Sequence, residues 1–144
     1  MAHGQWLDGY QYRKQIDLQS SQWTGGPHNE FPFLLIITGD GDLTARAQSN
    51  GFDIVFTDSD GSTLLFHEME NYDGAGNYRA WINVDLPNGT DKTIFMYYGS
   101  EVTVNTDPSS TSTWNSGYAA VYHMDNNPNG DPVNGLLDAT SNNN

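Results

Sequence analysis

The sequence predicts an all-β protein, an antiparallel β-sandwich with a jelly-roll-like arrangement. Three observations lead to this prediction: short segments in which apolar and polar residues alternate, frequent Gly, Asn, Asp and Pro between them, and no stretch with the apolar spacing of a helix. A chain of 144 residues is long enough to bury a sizeable core without disulfides or a structural metal. We therefore expect a single sandwich domain.

The first two predicted strands differ in how they are buried. Residues 10–18 alternate in polarity, which is typical of a strand with one wet and one partly buried face. Residues 31–38 are almost continuously apolar and predict a central strand. Pro32 cannot donate a hydrogen bond to a neighbouring strand, so it should lie near the beginning of this one.

Two β-hairpins are predicted in the middle of the chain. In the first, residues 52–57 and 63–70 flank a turn rich in Asp, Ser and Gly. In the second, the clearly alternating residues 78–86 and the return strand 92–98 flank the turn 87–91. The predicted core collects the inward-facing residues of all these strands: Ile16, Leu18, Phe33, Leu35, Ile54, Phe56, Leu64, Phe66, Ile82, Val84, Ile94 and Met96.

The composition changes after the last of these strands. Residues 99–117 are rich in Ser, Thr, Asn and Asp, which predicts a linker or a long surface crossing. Residues 118–124 alternate again and predict one more strand, and the polar residues 126–144 should be loose. The expected organisation is a sandwich module over residues 1–104, followed by a linker and one strand over residues 105–144.

Charge and cysteine usage exclude several functions. With five basic against eighteen acidic residues the net charge is -13, and a surface without clustered Lys and Arg does not bind nucleic acid or anionic membranes. The absence of cysteine excludes disulfides, thiolate metal sites and a cysteine nucleophile. No apolar run has the roughly 18 residues of a membrane span. An acidic, Lys-poor, Tyr- and Trp-rich chain is typical of secreted or cell-surface modules.

No catalytic motif is complete. His67-Glu68 begins the zinc-binding pattern H-E-x-x-H, but Asn71 stands where the second His is needed. The serines show neither G-x-S-x-G nor S-x-x-K, and no carboxylate pair is placed by the sequence in an apolar pocket. The sequence therefore favours a protein that is not an enzyme.

The turn Asp58-Ser59-Asp60-Gly61 is a candidate calcium site. Ca²⁺ binds six to eight oxygen ligands, and loops of the D-x-D-G type supply the first of them. In an EF-hand beginning at Asp58, the bidentate Glu would fall at Met69, so that motif is incomplete. Two interpretations stay open: a structural Ca²⁺ bound by Asp58 and Asp60, and ordinary turns stabilised by the Asp side chains.

Aromatic residues beside polar ones predict a polysaccharide as the ligand. An exposed aromatic ring can stack on the apolar face of a sugar while neighbouring polar groups bind its hydroxyls. Trp81 lies on the polar face of its strand, where the alternative is that a loop covers it, and Trp23 lies in a turn-rich loop, packed beneath it or meeting a partner. The candidate ligand-binding residues are Trp81, Trp23, Arg79, Asn83, Asp85 and Tyr97.

Several pieces of the sequence, in order, resemble one known family. They are Trp6, Tyr12-Arg13-Lys14-Gln15-Ile16, Phe31-Pro32-Phe33-Leu34, Asn50-Gly51-Phe52-Asp53-Ile54-Val55-Phe56, Asp60-Gly61 with Leu64 and Glu68, Trp81-Ile82-Asn83-Val84 and Met96-Tyr97-Tyr98-Gly99. Over residues 6–104 the chain is similar to the domain of unknown function 2341 family. The resemblance implies a β-sandwich module of secreted or surface proteins, often placed before a concanavalin-like (laminin G type) domain, and carries over no catalytic or ligand residues.

The C-terminal residues resemble the start of that second, lectin-like domain. Trp114, residues 118–124 and residues 138–142 carry this resemblance, and we expect 118–124 to add a strand to the first sandwich. The function that best fits the sequence is a non-catalytic extracellular carbohydrate-binding module. The alternative is a structural or adhesive spacer that positions a neighbouring lectin or enzyme domain, and the third reading is a polysaccharide-degrading enzyme.

Overall fold

The chain folds into two antiparallel β-sheets packed face to face, which confirms the predicted all-β sandwich. The computed structural model describes residues 6–101, 110–124 and 137–144. Within them lie seven strands and one short α-helix: β1 (Tyr10–Leu18), β2 (His28–Ile37), α1 (Gly41–Arg46), β3 (Val55–Asp58), β4 (Leu64–Leu65), β5 (His67–Tyr72), β6 (Tyr78–Leu86) and β7 (Lys92–Ser100). Residues 102–109, within the predicted linker 99–117, lie outside the described residues.

One sheet has four strands and the other three. Their orders are β1-β7-β3-β4 and β2-β6-β5. In the first sheet Tyr12 lies opposite Tyr98, and in the second Phe33 lies opposite Ile82. Because β1 and β2 belong to different sheets, the loop between them crosses one end of the sandwich.

The predicted hairpin of β6 with β7 is wrong. The strand β6 pairs with β2 and β5, whereas β7 pairs with β1 and β3 in the opposite sheet. The turn Pro87–Asp91 therefore carries the chain from one sheet to the other. The hairpin partner of β6 is β5, and the loop between them is closed by Asp73, whose carboxylate accepts hydrogen bonds from the backbone N–H groups of Ala75 and Asn77.

The first predicted hairpin forms, but only Leu64 and Leu65 of its second strand pair with β3. Leu65 and Leu64 lie opposite Phe56 and Thr57, and the chain then crosses to the other sheet as β5. Leu64 and Phe66 lie at this crossing and are 60% and 57% exposed, so their assignment to the core is wrong. The strand predicted to begin at Phe52 also begins later, at Val55.

The core lies between the inner faces of the two sheets. Its centre consists of predicted residues that are almost completely buried: Ile54, Phe56, Ile82, Val84, Ile94 and Met96. Leu18 is also buried, and Ile16, Phe33 and Leu35 are partly buried against this cluster. Alternation along β6 and β7 thus places the apolar side chains as the sequence indicates.

The helix α1 has no counterpart in the sequence prediction. Asp40 caps it by accepting hydrogen bonds from the N–H groups of Asp42 and Leu43, both at 3.0 Å. Leu43 is completely buried and anchors the helix to the core. A pair between Arg46 and Asp42, 2.6 Å from Nε to Oδ1, spans the single turn.

Candidate functional site

The polar face of β6, which carries the predicted site around Trp81, is covered by the chain itself. Residues 110–124, called the strap here, cross this outer face of the three-stranded sheet. The ring of Trp114 packs against that of Trp81 with centroids 5.3 Å apart. The side-chain amide of Asn83 donates to the carbonyl oxygens of Ser112 and Thr113, at 3.3 and 3.2 Å. Of the two alternatives for Trp81, the structure therefore has the covered ring.

Two carboxylates of β5 hold the strap in place. The indole N–H of Trp114 donates to Glu68 at 2.6 Å, and that of Trp81 donates to Glu70 at 2.7 Å. The imidazole of His123 lies between the two carboxylates, with each ring nitrogen 3.2 Å from one of them. The two indole N–H groups and both carboxylates of this face thus have partners within the chain.

The strand predicted over residues 118–124 does not form. The strap consists of a 3₁₀ turn, Thr111–Thr113, followed by turns and extended chain without sheet pairing. Its later part is joined to residues 137–144, where the N–H of Ala139 donates to the carbonyl of Val121 at 2.8 Å. The strap binds the sandwich through aromatic rings and carboxylates rather than through sheet pairing, so the alternation of residues 118–124 does not correspond to a strand.

The remaining predicted residues outside the loop of Trp23 do not form one site. Arg79 is exposed, with its Nε 3.9 Å from Glu70, and the carboxylate of Asp85 accepts a hydrogen bond from the N–H of Glu30 at 2.7 Å. Tyr97 is completely buried on the outer face of the other sheet, where its hydroxyl donates to the carbonyl of Gly61. The prediction that Tyr97 offers a ring to a ligand is therefore corrected, because Trp6 and Tyr10 pack over it.

Trp23, by contrast, lines an open pocket at one end of the sandwich. This end pocket has a volume of about 490 Å³ and is lined by Asp17, Leu18, Gln19, Gln22, Trp23, His28, Phe31, Phe33 and Leu86. The size lies within the range of small-molecule sites in proteins. Its interior is mostly apolar. Phe31 is the most exposed of its aromatic residues, with 43% of its surface accessible.

Two chain crossings shape the end pocket. The loop between β1 and β2 carries Trp23, and its indole N–H donates to the carbonyl of Pro87 in the crossing between β6 and β7, at 3.0 Å. The carboxylate of Asp91 in that crossing accepts hydrogen bonds from the N–H and hydroxyl of Ser20, each at 2.7 Å. The pocket therefore lies where the two crossings between the sheets are tied together.

Polar groups stand at the rim of the end pocket. Asp17 accepts hydrogen bonds from Thr93 and from Gln15, at 2.7 and 2.9 Å, which leaves part of its acceptor capacity unused. The side-chain amides of Gln19 and Gln22 have no partner among the described residues and are exposed. A ligand in the pocket could thus contact aromatic carbon and hydrogen-bonding groups together.

Sequence reasoning found Trp23 and missed the residues that surround it. Phe31, Phe33, Leu18 and Leu86 come from three different strands, so only the fold brings them to one place. A usable signal was present: Phe31 follows a Gly-Gly-Pro turn at the start of its strand, where the end of a sandwich leaves an apolar side chain partly open.

The proposed calcium ligands already have partners within the chain. Both oxygens of Asp58 lie within 2.8 Å of the Lys92 ammonium nitrogen. Although burial raises the pKa of Asp58, its hydrogen bonds with Lys92 and Ser59 prevail and hold that pKa below its usual value. Asp60 caps its own turn, accepting from the N–H groups of Ser62 and Thr63.

No cluster of three potential metal-binding acidic or His side chains occurs within the part of the chain that the structure describes. Calcium binding stays a prediction, and the measurement that tests it is thermal unfolding with millimolar CaCl₂ and with EDTA. A bound ion would raise the melting temperature, and EDTA would remove the gain. Separately, none of the helices in residues 6–101, 110–124 and 137–144 is long and apolar enough to span a bilayer.

The fold and the site define a two-sheet β-sandwich module with an aromatic pocket at one end and a strap across one face. The sequence profile of the family described as Domain of unknown function (DUF2341) matches residues 50–135, more than half of the chain. The chain belongs to this family. No curated protein and no solved structure matches it.

The family match also bears on the strap. It includes Trp114 and residues 118–124, which the sequence resemblance assigned to the start of a second domain. It leaves out β1 and β2, although these strands pair with β7 and β6 in the same two sheets. The family match thus includes the strap together with strands β3 to β7, and in the structure the strap packs on the three-stranded sheet.

Proposed function

We propose that this domain binds an uncharged saccharide in the end pocket without catalysing its conversion. The observation that carries the proposal is the exposed ring of Phe31, which lines the same pocket of about 490 Å³ as Trp23. Flat aromatic rings pack well against the C–H groups on one face of a sugar ring. The pocket volume could accommodate one or two sugar rings.

The rim supplies the second element of the proposal. Gln19 and Gln22 offer donors and acceptors, and Asp17 offers acceptors, to the hydroxyl groups of a sugar whose apolar face lies on the rings. The net charge of -13 disfavours an anionic polysaccharide, since like charges repel at short range. An uncharged polysaccharide therefore suits both the rim and the surface.

Affinity electrophoresis with a panel of neutral polysaccharides tests this function. We expect at least one to retard the wild type, and both Trp23→Ala and Phe31→Ala to weaken that binding about tenfold, as expected for losing an aromatic contact of about 1.5 kcal/mol. Phe66→Ala is the matched control, because Phe66 is an exposed phenylalanine that does not line the end pocket. Melting temperatures establish that each variant is folded. The proposal is abandoned if no polysaccharide retards the wild type.

A structural spacer is the second candidate, and the covered outer face favours it. Trp81, which a binding row on that face would need, lies beneath Trp114. If Trp81→Ala weakens saccharide binding while Trp23→Ala and Phe31→Ala do not, the binding site is on the outer face rather than in the end pocket. If the wild type binds no polysaccharide, the structural spacer is the better supported of the two functions.

A further inference from the structure

The tripeptide Asn88-Gly89-Thr90 meets the chemical requirement for attaching a glycan to asparagine. The acceptor pattern is Asn, any residue except Pro, then Ser or Thr. The chain has fifteen asparagines, and Asn88 is the only one followed two positions later by Ser or Thr. The pattern alone is a weak signal in a chain so rich in Asn, Ser and Thr. Its place in the fold decides whether an enzyme could reach it.

The tripeptide forms the tip of the crossing between β6 and β7. Asn88, Gly89 and Thr90 are all exposed, and a Cβ added at Gly89 would meet no atom within 4 Å. The two ends of the crossing are fixed to the loop before β2, through the carbonyl of Pro87 and the carboxylate of Asp91. The tip therefore projects into open space from a firmly held base.

The side-chain amide of Asn88 has no hydrogen-bond partner among the described residues. The Thr90 hydroxyl instead lies 3.4 Å from the backbone carbonyl of Asn88, which places it next to the acceptor residue. Other asparagine amides are engaged: that of Asn83 binds strap carbonyls, and that of Asn115 donates to the carbonyl of Glu30 at 2.9 Å. The asparagine with the acceptor pattern is thus also one whose amide is free to react.

We propose that Asn88 is an acceptor site for an N-linked glycan, supplied by a lipid-pyrophosphate-linked oligosaccharide. In the transfer, the Asn88 side-chain nitrogen forms a bond to C1 of the first sugar. The bond between C1 and the phosphate oxygen breaks, the lipid pyrophosphate leaves with the electron pair, and the amide nitrogen releases one proton. None of the three residues Asn88, Gly89 and Thr90 lines the end pocket, so this proposal does not rest on saccharide binding there.

The test incubates the folded chain with an oligosaccharyltransferase that accepts the three-residue pattern, together with its lipid-linked donor. The intact mass should increase by one oligosaccharide, located at Asn88 by peptide mapping. Asn88→Gln and Thr90→Ala should both abolish the increase, and unchanged melting temperatures establish that they are folded. A synthetic peptide spanning residues 84–94 serves as the accessible reference.

A second acceptor pattern, created in a strand, tests the structural part of the argument. Asp85→Thr completes the pattern after Asn83, whose amide is bound to the strap within the sheet. This variant should still gain one oligosaccharide, on Asn88, and not two. The proposal is overturned if the folded wild type stays unmodified, whether or not the peptide is modified, or if Thr90→Ala keeps the glycan. It is equally overturned if Asn83 is modified as fully as Asn88, because exposure would then not select the site.

Discussion

Asp53 is completely buried and joins two parts of the chain that are distant in sequence. One carboxylate oxygen accepts a hydrogen bond from the N–H of Gln48 at 2.9 Å, and the other accepts from the N–H groups of Gly99 and Ser100, at 2.7 and 3.3 Å. A single side chain thus satisfies three backbone donors between α1 and the end of β7. Buried backbone N–H groups that lose such an acceptor are costly, because little water reaches them.

Replacing Asp53 should destabilise the fold strongly. Asp53→Ala should lower the free energy of unfolding by about 3 kcal/mol, because losing hydrogen bonds to a buried carboxylate costs about 1 kcal/mol or more each. Asp53→Asn keeps one carbonyl acceptor and should lower it less. Urea denaturation measures both, with Asp8→Ala, at an exposed aspartate, as the control. A loss for Asp53→Ala no larger than that of the control would contradict this account.

Asp60 gives the turn between β3 and β4 a specific pH dependence. Hydrogen bonds from the Thr63 hydroxyl and from the N–H groups of Ser62 and Thr63 lower the pKa of Asp60 to about 2, from a usual value of 3.8. The folded state therefore binds the proton less readily than the unfolded state. Its stabilising contribution is complete above about pH 4 and is lost as the pH falls towards 2.

The variant Asp60→Asn should remove this contribution at every pH. We expect it to melt at a lower temperature than the wild type at pH 7, and the difference to shrink between pH 4 and pH 2, where the wild-type carboxylate becomes protonated. Melting curves at pH 7, 4, 3 and 2 measure this, with Asp8→Asn as the matched control. A difference that stays constant over this range would mean that the carboxylate charge does not stabilise the turn.

Strands were predictable where two-residue alternation decides their conformation. The bounds predicted for β1 and β6 agree with the structure, and the beginning of β7 agrees as well. Alternation is a local property, so it reports which side of a strand is buried but not which strand lies beside it. The same turn residues, Pro87–Asp91, suit a hairpin and a crossing between sheets, which is why the pairing of β6 with β7 was predicted wrongly.

The elements that were missed are short or irregular. The helix α1 has six residues, too few to show an apolar period, although Asp40 before it and Arg46 four residues after Asp42 are signals of a capped turn. The strap forms no strand although residues 118–124 alternate in polarity, since its contacts are made by Trp114, His123 and a few backbone groups. Both elements are fixed by tertiary contacts rather than by local preference.

We expect Trp114 to be the main residue that holds the strap on the three-stranded sheet. It is 7% exposed, and its ring contacts Trp81 while its indole N–H is bound to Glu68. Trp114→Ala should lower the free energy of unfolding by about 3 kcal/mol, as for other large buried aromatic residues. Hydrogen exchange should show that residues 110–124 lose protection while β2 and β6 keep theirs.

The control for Trp114 is Tyr122→Ala, since Tyr122 is an exposed aromatic residue of the same strap. It should change neither stability nor exchange appreciably. If Trp114→Ala instead leaves the exchange of the strap unchanged, aromatic packing on Trp81 is not what holds the strap to the sheet.

At the scale of the whole molecule, the sequence indicated aromatic residues beside polar ones but not which of these surfaces the fold leaves open. Exposed aromatic residues beside polar ones were expected, and this combination occurs around Trp23. The face of Trp81 has the same composition but is covered by a segment more than 25 residues further along the chain. Whether a polar strand face is open depends on distant segments, and a strand's own sequence does not contain that information.

Truncated chains can test whether the folding unit of the sandwich includes the strap. The sequence predicted a sandwich module over residues 1–104 to which residues 118–124 add a strand. The structure instead places Trp114 and His123 on the three-stranded sheet without sheet pairing, with Glu68 and Glu70 as their partners. A chain ending at Glu101 would expose Trp81 and leave both carboxylates without these partners. It should melt at a lower temperature and bind a hydrophobic dye such as ANS more strongly than the full chain.

A chain ending at Met124 is the matched comparison, because it keeps the whole strap. It should retain most of the stability of the full chain, with a smaller loss from removing the contacts of residues 137–144, such as the hydrogen bond from Ala139 to Val121. In thermal unfolding, the full chain should have the highest melting temperature, the chain ending at Met124 a lower one, and the chain ending at Glu101 the lowest. If the chain ending at Glu101 has the same melting temperature as the full chain, the first 101 residues fold on their own. The strap would then be an addition to the sandwich rather than a part of its folding unit.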